Sequence, residues 1–572
     1  MIDSKRIYKR PHHLKALLLL LLLVALASPI KAQSPTSGGA DAEVELKRGN
    51  YEAAIAGFRA RLTANASDEH AQAGMMRAHY ETGRDQEAEA SAVKFLLKKP
   101  DAYRVRHALG EIYAMTGRYA QAVAEFERAA KGLSGAADSI GAFESEFRRA
   151  ETLFLIGQEE AAKQTFMGIV NFVEEKNSQD ARSLTLIAKA QTYLERYKEA
   201  SELYLKAIAA DPSHLDAHVG GGELFTEKYN YAEAADFFQD ALKINARSVR
   251  AYVGTAANKK LEGGAEMQAA LSRALEINPR VVEAYVLRAG SLMEAGRYDA
   301  AALALDEAQK VNPNSLDALA LRAALLYLQD RDFEATLKSA LAINHRYGKL
   351  YDTLAYFATI TRRYHQSVRF AQQAVALSPR LWRAHLNLGM ALMRTGRMAE
   401  GRAAIEVAFA GDPFNLWAKN TLDMLDAIKD YKETQAGDFV FKVAASEHDA
   451  LQVYAANLLQ EAAAKLNAKY QFTPQGPLHV ELFPNHEDFA VRALGLPGLG
   501  ALGVCFGQVI ALDSPSARSV GEFNWGSTLW HEYVHVITLQ MTEYRIPRWF
   551  SEGLSVYEER RGRPAGVMNG AR

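Results

Sequence analysis

Two histidines and a glutamate near the C-terminus have the spacing of a metal-binding helix. The segment 530–535 reads WHEYVH, which places His531 and His535 four residues apart, with Glu532 beside the first histidine. In a helix, residues four apart lie one turn apart on the same face, so both imidazoles can bind one Zn²⁺. Apolar residues flank this pattern, as expected of a helix that packs on a core: Leu529, Val534, Val536, Ile537 and Leu539.

A catalytic zinc site needs a third protein ligand and one open coordination position. Glu552, seventeen residues after His535, is the candidate third ligand. Pro547 lies between them and predicts that the first helix ends, the chain turns, and a second helix returns Glu552 to the metal. Glu532 is not expected to bind zinc; its predicted role is general base, taking a proton from the attacking water. The alternative is a surface helix with two solvated histidines and an unrelated carboxylate.

The length and composition are those of an ordinary folded protein that is divided into several structural units. With 572 residues, the chain is too long for one hydrophobic core. The formal net charge of −1 gives no argument for a nucleic-acid partner or for an anionic lipid surface. Cys505 is the single cysteine, which excludes an internal disulfide, and its apolar neighbours predict a buried, unreactive thiol.

The N-terminus has the pattern of an export signal. Basic residues precede a leucine-rich run over 16–27, and the small residue Ala32 follows. We therefore predict a signal peptide over 1–32 and an exported protein, periplasmic or secreted in a bacterium, with no stable membrane span after cleavage. An uncleaved anchor is the alternative, although the uncharged stretch is shorter than the roughly 20 residues that cross a bilayer. The small, polar residues 33–40 predict a flexible linker.

One pattern recurs through residues 41–433. Pro279 and Pro313 are 34 residues apart, and so are Pro379 and Pro413. Between such prolines, a small residue on a first predicted helix is followed by an alanine and an aromatic residue on a second, as in Gly222, Ala234 and Phe238. A single unit cannot bury its apolar face, so the units are predicted to stack into a solenoid, which a helix over 416–431 closes.

This pattern resembles the tetratricopeptide repeat, with about eleven units. The resemblance implies an α-solenoid whose concave face binds a protein or peptide partner. The alternative is a spacer that only positions the C-terminal domain.

After residue 433 the helical period gives way to mixed patterns. Alternating apolar residues predict strands over 439–443 and 478–483, and a third strand over 503–513 with a turn or bulge at Gly507. Helices are predicted over 449–469, over 485–494 with Asn485 as its cap, over 525–541 and around Glu552. The fold class is therefore mainly α, a solenoid followed by a small α+β domain.

Residues 434–572 resemble the gluzincin metallopeptidases, in the peptidase MA-like form that often follows tetratricopeptide repeats in bacterial secreted proteins. The segments WHEYVH at 530–535 and PRWFSEGLS at 547–555 carry the resemblance. It implies a zinc metallopeptidase in which His531, His535 and Glu552 bind Zn²⁺ and Glu532 is the catalytic base. It also implies that the substrate backbone pairs with the 503–513 strand.

The C-terminal segment departs from the family pattern in two respects, which leave a histidine partner and the oxyanion-stabilising residue in question. Val556 stands where thermolysin-like enzymes carry an aspartate that supports a histidine, so the partner of that histidine is unidentified. Tyr557 is the in-chain candidate for stabilising the oxyanion. Relatives usually continue into further helices, whereas here twenty residues follow Glu552, which makes a C-terminally truncated domain an open alternative.

Three functions are compatible with these patterns. The first is a secreted zinc peptidase whose repeats hold a protein partner or substrate. The second is a non-catalytic exported scaffold with an inert or structural zinc domain. The third combines them, as a peptidase regulated by a partner on the repeats.

Overall fold

The structure is a computed structural model that describes residues 41–260, 263–519 and 521–562. The predicted signal peptide over 1–32, the predicted linker over 33–40 and the last ten residues lie outside the described residues. None of the described helices combines the length and the apolar character needed to cross a bilayer.

Up to Gly411, the described chain folds into eleven consecutive helical hairpins, and one more helix follows the last of them. The helices are α1 Asp41–Arg48, α2 Tyr51–Ala64, α3 Glu69–Glu81, α4 Asp85–Lys98, α5 Tyr103–Met115, α6 Tyr119–Gly135, α7 Ser139–Leu155, α8 Glu159–Lys176, α9 Ala181–Tyr193, α10 Tyr197–Ala210, α11 Leu215–Glu227, α12 Tyr231–Ile244, α13 Val249–Asn258, α14 Ala265–Ile277, α15 Val282–Glu294, α16 Tyr298–Val311, α17 Leu316–Leu328, α18 Glu334–Ile343, α19 Lys349–Ile360, α20 Tyr364–Leu377, α21 Trp382–Arg394, α22 Met398–Gly411 and α23 Leu416–Ala427.

Small residues on the first helix of a hairpin allow the second helix to approach closely. A Cβ atom added at Gly222 would lie 2.7 Å from the Phe238 ring, and one added at Gly110 would lie 2.7 Å from the Phe126 ring. Both phenylalanines are fully buried. The same ring of Phe238 also faces Gly254 of the next hairpin, so one side chain joins two units. The structure therefore confirms the predicted α-solenoid and the packing that the repeat pattern implies.

The solenoid winds tightly enough for its successive turns to touch. The Tyr51 hydroxyl donates to the Arg247 carbonyl at 3.2 Å, and the Tyr119 hydroxyl donates to the Asn314 carbonyl at 3.0 Å. Each bond joins the start of the second helix of one hairpin to a loop much later in the chain. That loop follows the hairpin that comes five hairpins after the first. The last two hairpins contact the C-terminal domain through the turns between their helices: Tyr364 packs against Phe506, and Gly396 lies against the His479 ring.

The C-terminal domain contains a five-stranded sheet in the order β1-β2-β3-β5-β4. The three inner strands are parallel, and each outer strand is antiparallel to its neighbour. The strands and helices are β1 Lys432–Ala436, β2 Phe439–Val443, α24 His448–Tyr470, β3 Leu478–Phe483, α25 His486–Leu494, β4 Gly503–Cys505, β5 Val509–Asp513, a 3₁₀ turn Pro515–Ala517, α26 Trp525–Met541 and α27 Arg548–Gly562.

Two features of this sheet differ from the sequence-based prediction. The third strand, predicted over 503–513 with a turn or bulge at Gly507, is a pair of strands: the chain reverses at Gly507, whose φ of 93° favours glycine, and forms the β4–β5 hairpin. The prediction also omitted β1, because its residues are mostly polar and exposed and lack an apolar alternation.

Both faces of the sheet are covered. Helices α24 and α26 pack on one face through an apolar core that includes Phe441, Val480 and Ile537. On the other side, α25 shares a second core with the last hairpin of the solenoid and with α23. A buried ion pair lies at this second contact, with Arg492 Nε 2.6 Å from Glu481 Oε2. The Arg492 guanidinium also donates to a backbone carbonyl of α21, so the domain is joined to the solenoid by polar as well as apolar contacts.

Candidate metal centre

Helix α26 presents the two histidines side by side. The helix begins after Asn524, whose side chain accepts a hydrogen bond from the Ser527 amide at 3.1 Å and caps the first turn. The ring centroids of His531 and His535 are 4.9 Å apart. His535 is buried, whereas His531 is partly exposed, because α26 lies beneath the sheet with one edge toward solvent.

The turn between α26 and α27 returns Glu552 to these rings. Glu543 and Tyr544 have left-handed backbone angles, φ 51° and 64°, and Pro547 directly precedes α27. Glu552 Oε2 then lies 3.2 Å from His535 Nε2 and 3.5 Å from His531 Nε2. The structure thus brings together the three residues that were predicted as metal ligands.

These three donors fit a zinc ion. One ligand atom from each residue lies within 4.8 Å of the other two. Ligands at 2.0–2.1 Å from a tetrahedral zinc are about 3.3 Å from one another, close to the two His–Glu distances. Two imidazoles and one carboxylate are also a donor set that binds catalytic zinc and leaves a fourth position open.

The other ring nitrogen of each histidine is held by α27. His531 Nδ1 lies 3.2 Å from Glu559 Oε2, and His535 Nδ1 lies 2.8 Å from the Ser551 hydroxyl. Such partners fix the ring orientation and leave Nε2 available to bind a metal. Glu559 is the supporting carboxylate that sequence reasoning did not find. It lies seven residues after Glu552, two helical turns away on the same face, whereas Val556 is more than one-third exposed.

Ser551 and Ser555 provide a matched pair for testing this support. Both are fully buried on α27. The Ser551 hydroxyl bonds to His535, whereas the Ser555 hydroxyl has no hydrogen-bond partner among the described residues. We expect Ser551→Ala to weaken zinc affinity by about 10–100-fold, because the His535 ring loses its orienting bond. Ser555→Ala should keep the parent affinity. Competition with a chromophoric chelator measures both; equal affinities in the two variants would contradict the role of Ser551.

Glu532 occupies a different environment from Glu552. The residue is 5% exposed and packs against the edge strand β4, where a Cβ atom added at Gly503 would lie 2.8 Å from Glu532 Oε1. Burial raises the pKa of Glu532 to about 8, and the charge of Glu552 acts in the same direction. By contrast, the hydrogen bond with His535 lowers the pKa of Glu552 to about 2. Two carboxylates with such different environments are suited to different roles.

The histidines are also perturbed in opposite directions. Burial lowers the pKa of His535. Burial acts in the same way on His531, but its hydrogen bond to Glu559 and the nearby carboxylates outweigh burial and raise the pKa. A neutral His535 is the form that can donate its lone pair to a metal.

Two further residues considered in the sequence analysis, Cys505 and Tyr557, are not among the three candidate metal ligands. Cys505 is buried, and burial raises the pKa of its thiol, as expected for an unreactive cysteine. Tyr557 is about half exposed, and its ring lies beneath the Lys469 ammonium and the Arg561 guanidinium. The contacts of Tyr557 therefore give no support to a role at the oxyanion.

Comparison with known proteins identifies the repeats. The tetratricopeptide repeat model matches residues 74–138, 185–249, 265–315, 286–342 and 361–415. All of these residues lie in the helical hairpins or in the loops that connect them. A comparison with curated proteins gives no match.

Several solved structures are similar to this chain at low sequence identity and low TM-score. Yeast Tom70 is 15% identical, with a TM-score of 0.32, over 68% of this chain and 95% of that one. A tetratricopeptide repeat protein from Parabacteroides merdae is 18% identical, with a TM-score of 0.29, over 51% of this chain and 99% of that one. The Cut9–Hcn1 structure is 11% identical, with a TM-score of 0.27, over 67% of this chain and 94% of that one. These structural similarities are too low to support a conclusion. The match to the family model and the observed hairpins together show that the chain contains tetratricopeptide repeats.

Proposed function

We propose that this protein is a zinc-dependent peptidase whose repeat array holds a protein partner or the substrate. The observation that carries the proposal is the convergence of His531 Nε2, His535 Nε2 and Glu552 Oε2, with both histidines supported at Nδ1. The gluzincin resemblance, export from a bacterial cell and the absence of a nucleic-acid partner belong to the same proposal.

In this proposal each residue has a distinct task. His531, His535 and Glu552 would hold the metal. A zinc ion bound there would supply Lewis acidity for polarising a carbonyl and for lowering the pKa of water toward about 7. Glu532 accepts the proton of the attacking water and returns it to the leaving amine. Glu532 is itself buried, at 5% exposed.

The edge strand β4 is the proposed substrate-binding strand. It pairs with β5 on one side and forms the edge of the sheet on the other. Gly503 of β4 lies against Glu532, so an extended peptide that paired with this edge would pass close to the proposed base. Main-chain pairing of this kind binds extended peptides with little dependence on sequence, and side-chain pockets then add specificity.

The solenoid also supports a second candidate function. Tetratricopeptide repeats are confirmed over much of the chain, and such arrays present concave surfaces suited to protein segments. In this alternative the protein is an exported scaffold, and the C-terminal domain is catalytically inert.

Digestion of a peptide library by the purified protein separates the two functions. Under the peptidase proposal we expect cleavage that stops when a chelator removes the metal and returns when stoichiometric zinc is added. Mass spectrometry of the products identifies the bonds cleaved. A protein that binds one zinc ion with the expected residues but cleaves no peptide would instead support the scaffold.

A further inference from the structure

A residue of the solenoid reaches the candidate metal centre. Arg362 lies in the turn of the tenth hairpin, between α19 and α20, and its Nη2 atom is 3.6 Å from Glu552 Oε1. Resting on the proposed zinc function, we infer that Arg362 is a positioning residue, which holds one oxygen of Glu552 so that the other faces the histidines. The metal centre is then composite, built from the repeat array as well as from the C-terminal domain.

The two oxygens of Glu552 have separate partners. Oε2 faces the Nε2 atoms of both histidines, whereas Oε1 lies 3.6 Å from Arg362 Nη2 and 3.6 Å from Arg548 Nε. The Arg362 side chain is 23% exposed, but that of Arg548 is 82% exposed. An exposed ion pair is weak, since water screens it and the side chains lose freedom. Arg362 is therefore the partner that can restrict rotation of the carboxylate.

The turn that carries Arg362 is anchored beside the site. Tyr364, two residues further along, is buried and packs edge-on against Phe506, with ring centroids 5.6 Å apart. It also contacts Tyr544, with centroids 6.3 Å apart. Phe506 directly follows β4, and Tyr544 lies in the turn between α26 and α27. One aromatic cluster thus fixes the hairpin turn to the two loops that frame the metal centre.

A partly buried cation, Arg394, strengthens this anchor. The Arg394 guanidinium lies 5.7 Å from the Tyr364 ring centre and 5.5 Å from that of Phe506. It also donates a hydrogen bond to the Ala493 carbonyl of α25 at 3.1 Å. These contacts join α21 of the solenoid to the C-terminal domain, so the position of Arg362 relative to Glu552 is set by several packed groups.

The neighbouring Arg363 is a matched control. It belongs to the same turn, but its guanidinium points back into the solenoid, where Nη1 lies 3.0 Å from Asp330 Oδ1 and the group stacks on Tyr327. Arg363→Ala therefore removes a side chain of the same size and charge from the same turn, but leaves the contact between Arg362 and Glu552 in place.

The test compares Arg362→Ala, Arg362→Lys and Arg363→Ala in the whole chain. Zinc affinity is measured by chelator competition, coordination by the visible spectrum of the Co²⁺-loaded protein, and kcat and KM on a cleaved peptide. We expect Arg362→Ala to lower zinc affinity by about 10–100-fold, shift the Co²⁺ bands and reduce kcat more than it raises KM. Arg362→Lys, which keeps the charge, should recover part of the loss, and Arg363→Ala should match the parent.

Each outcome supports or overturns the inference. Parent-like zinc affinity and Co²⁺ bands in Arg362→Ala would overturn the role of Arg362 and leave the zinc proposal intact. An equal loss in Arg363→Ala would also overturn it, because the effect would then arise from the fold of the turn. If the parent protein binds neither Zn²⁺ nor Co²⁺, the proposed function fails and the role of Arg362 fails with it.

Discussion

Glu532→Gln is expected to lower peptide turnover by about two to four orders of magnitude, the usual contribution of a general base. The substituted amide has nearly the same shape but cannot accept the proton of the attacking water. Zinc content should be unchanged, because Glu532 is outside the cluster of ligand atoms formed by His531, His535 and Glu552. The measurement is kcat on a peptide found by library digestion, together with the zinc content per chain.

Glu543→Gln is the matched control for this substitution. Glu543 is an exposed glutamate just after α26, and its amide variant should keep both turnover and zinc. If Glu532→Gln cleaved peptide at the parent rate, Glu532 would have no role as base, even if zinc binding were intact.

Glu552→Gln should cause the largest loss of metal affinity. Its Oε2 atom is the one that approaches both imidazoles, and an amide oxygen is a weaker zinc ligand than a carboxylate. Loss of a supporting partner already costs about 10–100-fold in affinity, so loss of a ligand should exceed about 100-fold. Chelator competition on the purified protein measures the change directly.

Comparison with Ser551→Ala tests whether loss of a ligand lowers zinc affinity more than loss of a residue that supports a ligand. Ser551 acts on the metal only through His535, so its loss should be smaller than that of Glu552→Gln. An affinity in Glu552→Gln equal to that of the parent would exclude Glu552 as a ligand and leave two histidines without a third protein donor.

The repeat architecture could be predicted from the sequence because it depends on local packing. Each hairpin brings a small residue such as Gly222 against an aromatic residue such as Phe238 at a fixed spacing, and the period of the chain records that contact. The bounds of β3 and α26 also follow from local patterns, since an alternating segment and a capped apolar helix leave clear signatures. The two histidines one turn apart on α26 follow from the same reasoning.

The sequence carried less information about the surroundings of the site. The sequence predicts a turn or bulge at Gly507, but not the complete reversal into the β4–β5 hairpin, because this left-handed glycine lies inside a largely apolar segment. Glu559 could have been found from its two-turn spacing after Glu552, but the family pattern directed attention to Val556. Both are local signals that competed with a stronger expectation.

Arg362 could not have been placed by any local signal. It precedes His531 by 169 residues, and its approach to Glu552 depends on the rotation accumulated over several stacked hairpins. Small differences in the rotation between units add up along a solenoid, so the position of one turn relative to a later domain is a property of the whole array. Only a three-dimensional structure shows such a contact.

Anomalous diffraction at the zinc absorption edge, from crystals of the whole protein grown with stoichiometric zinc, tests the central claim most directly. We predict one anomalous peak between His531 Nε2, His535 Nε2 and Glu552 Oε2, at about 2.0–2.2 Å from each. A zinc-containing crystal with no peak there, or with Glu552 turned away from both histidines toward Arg548, would contradict the account.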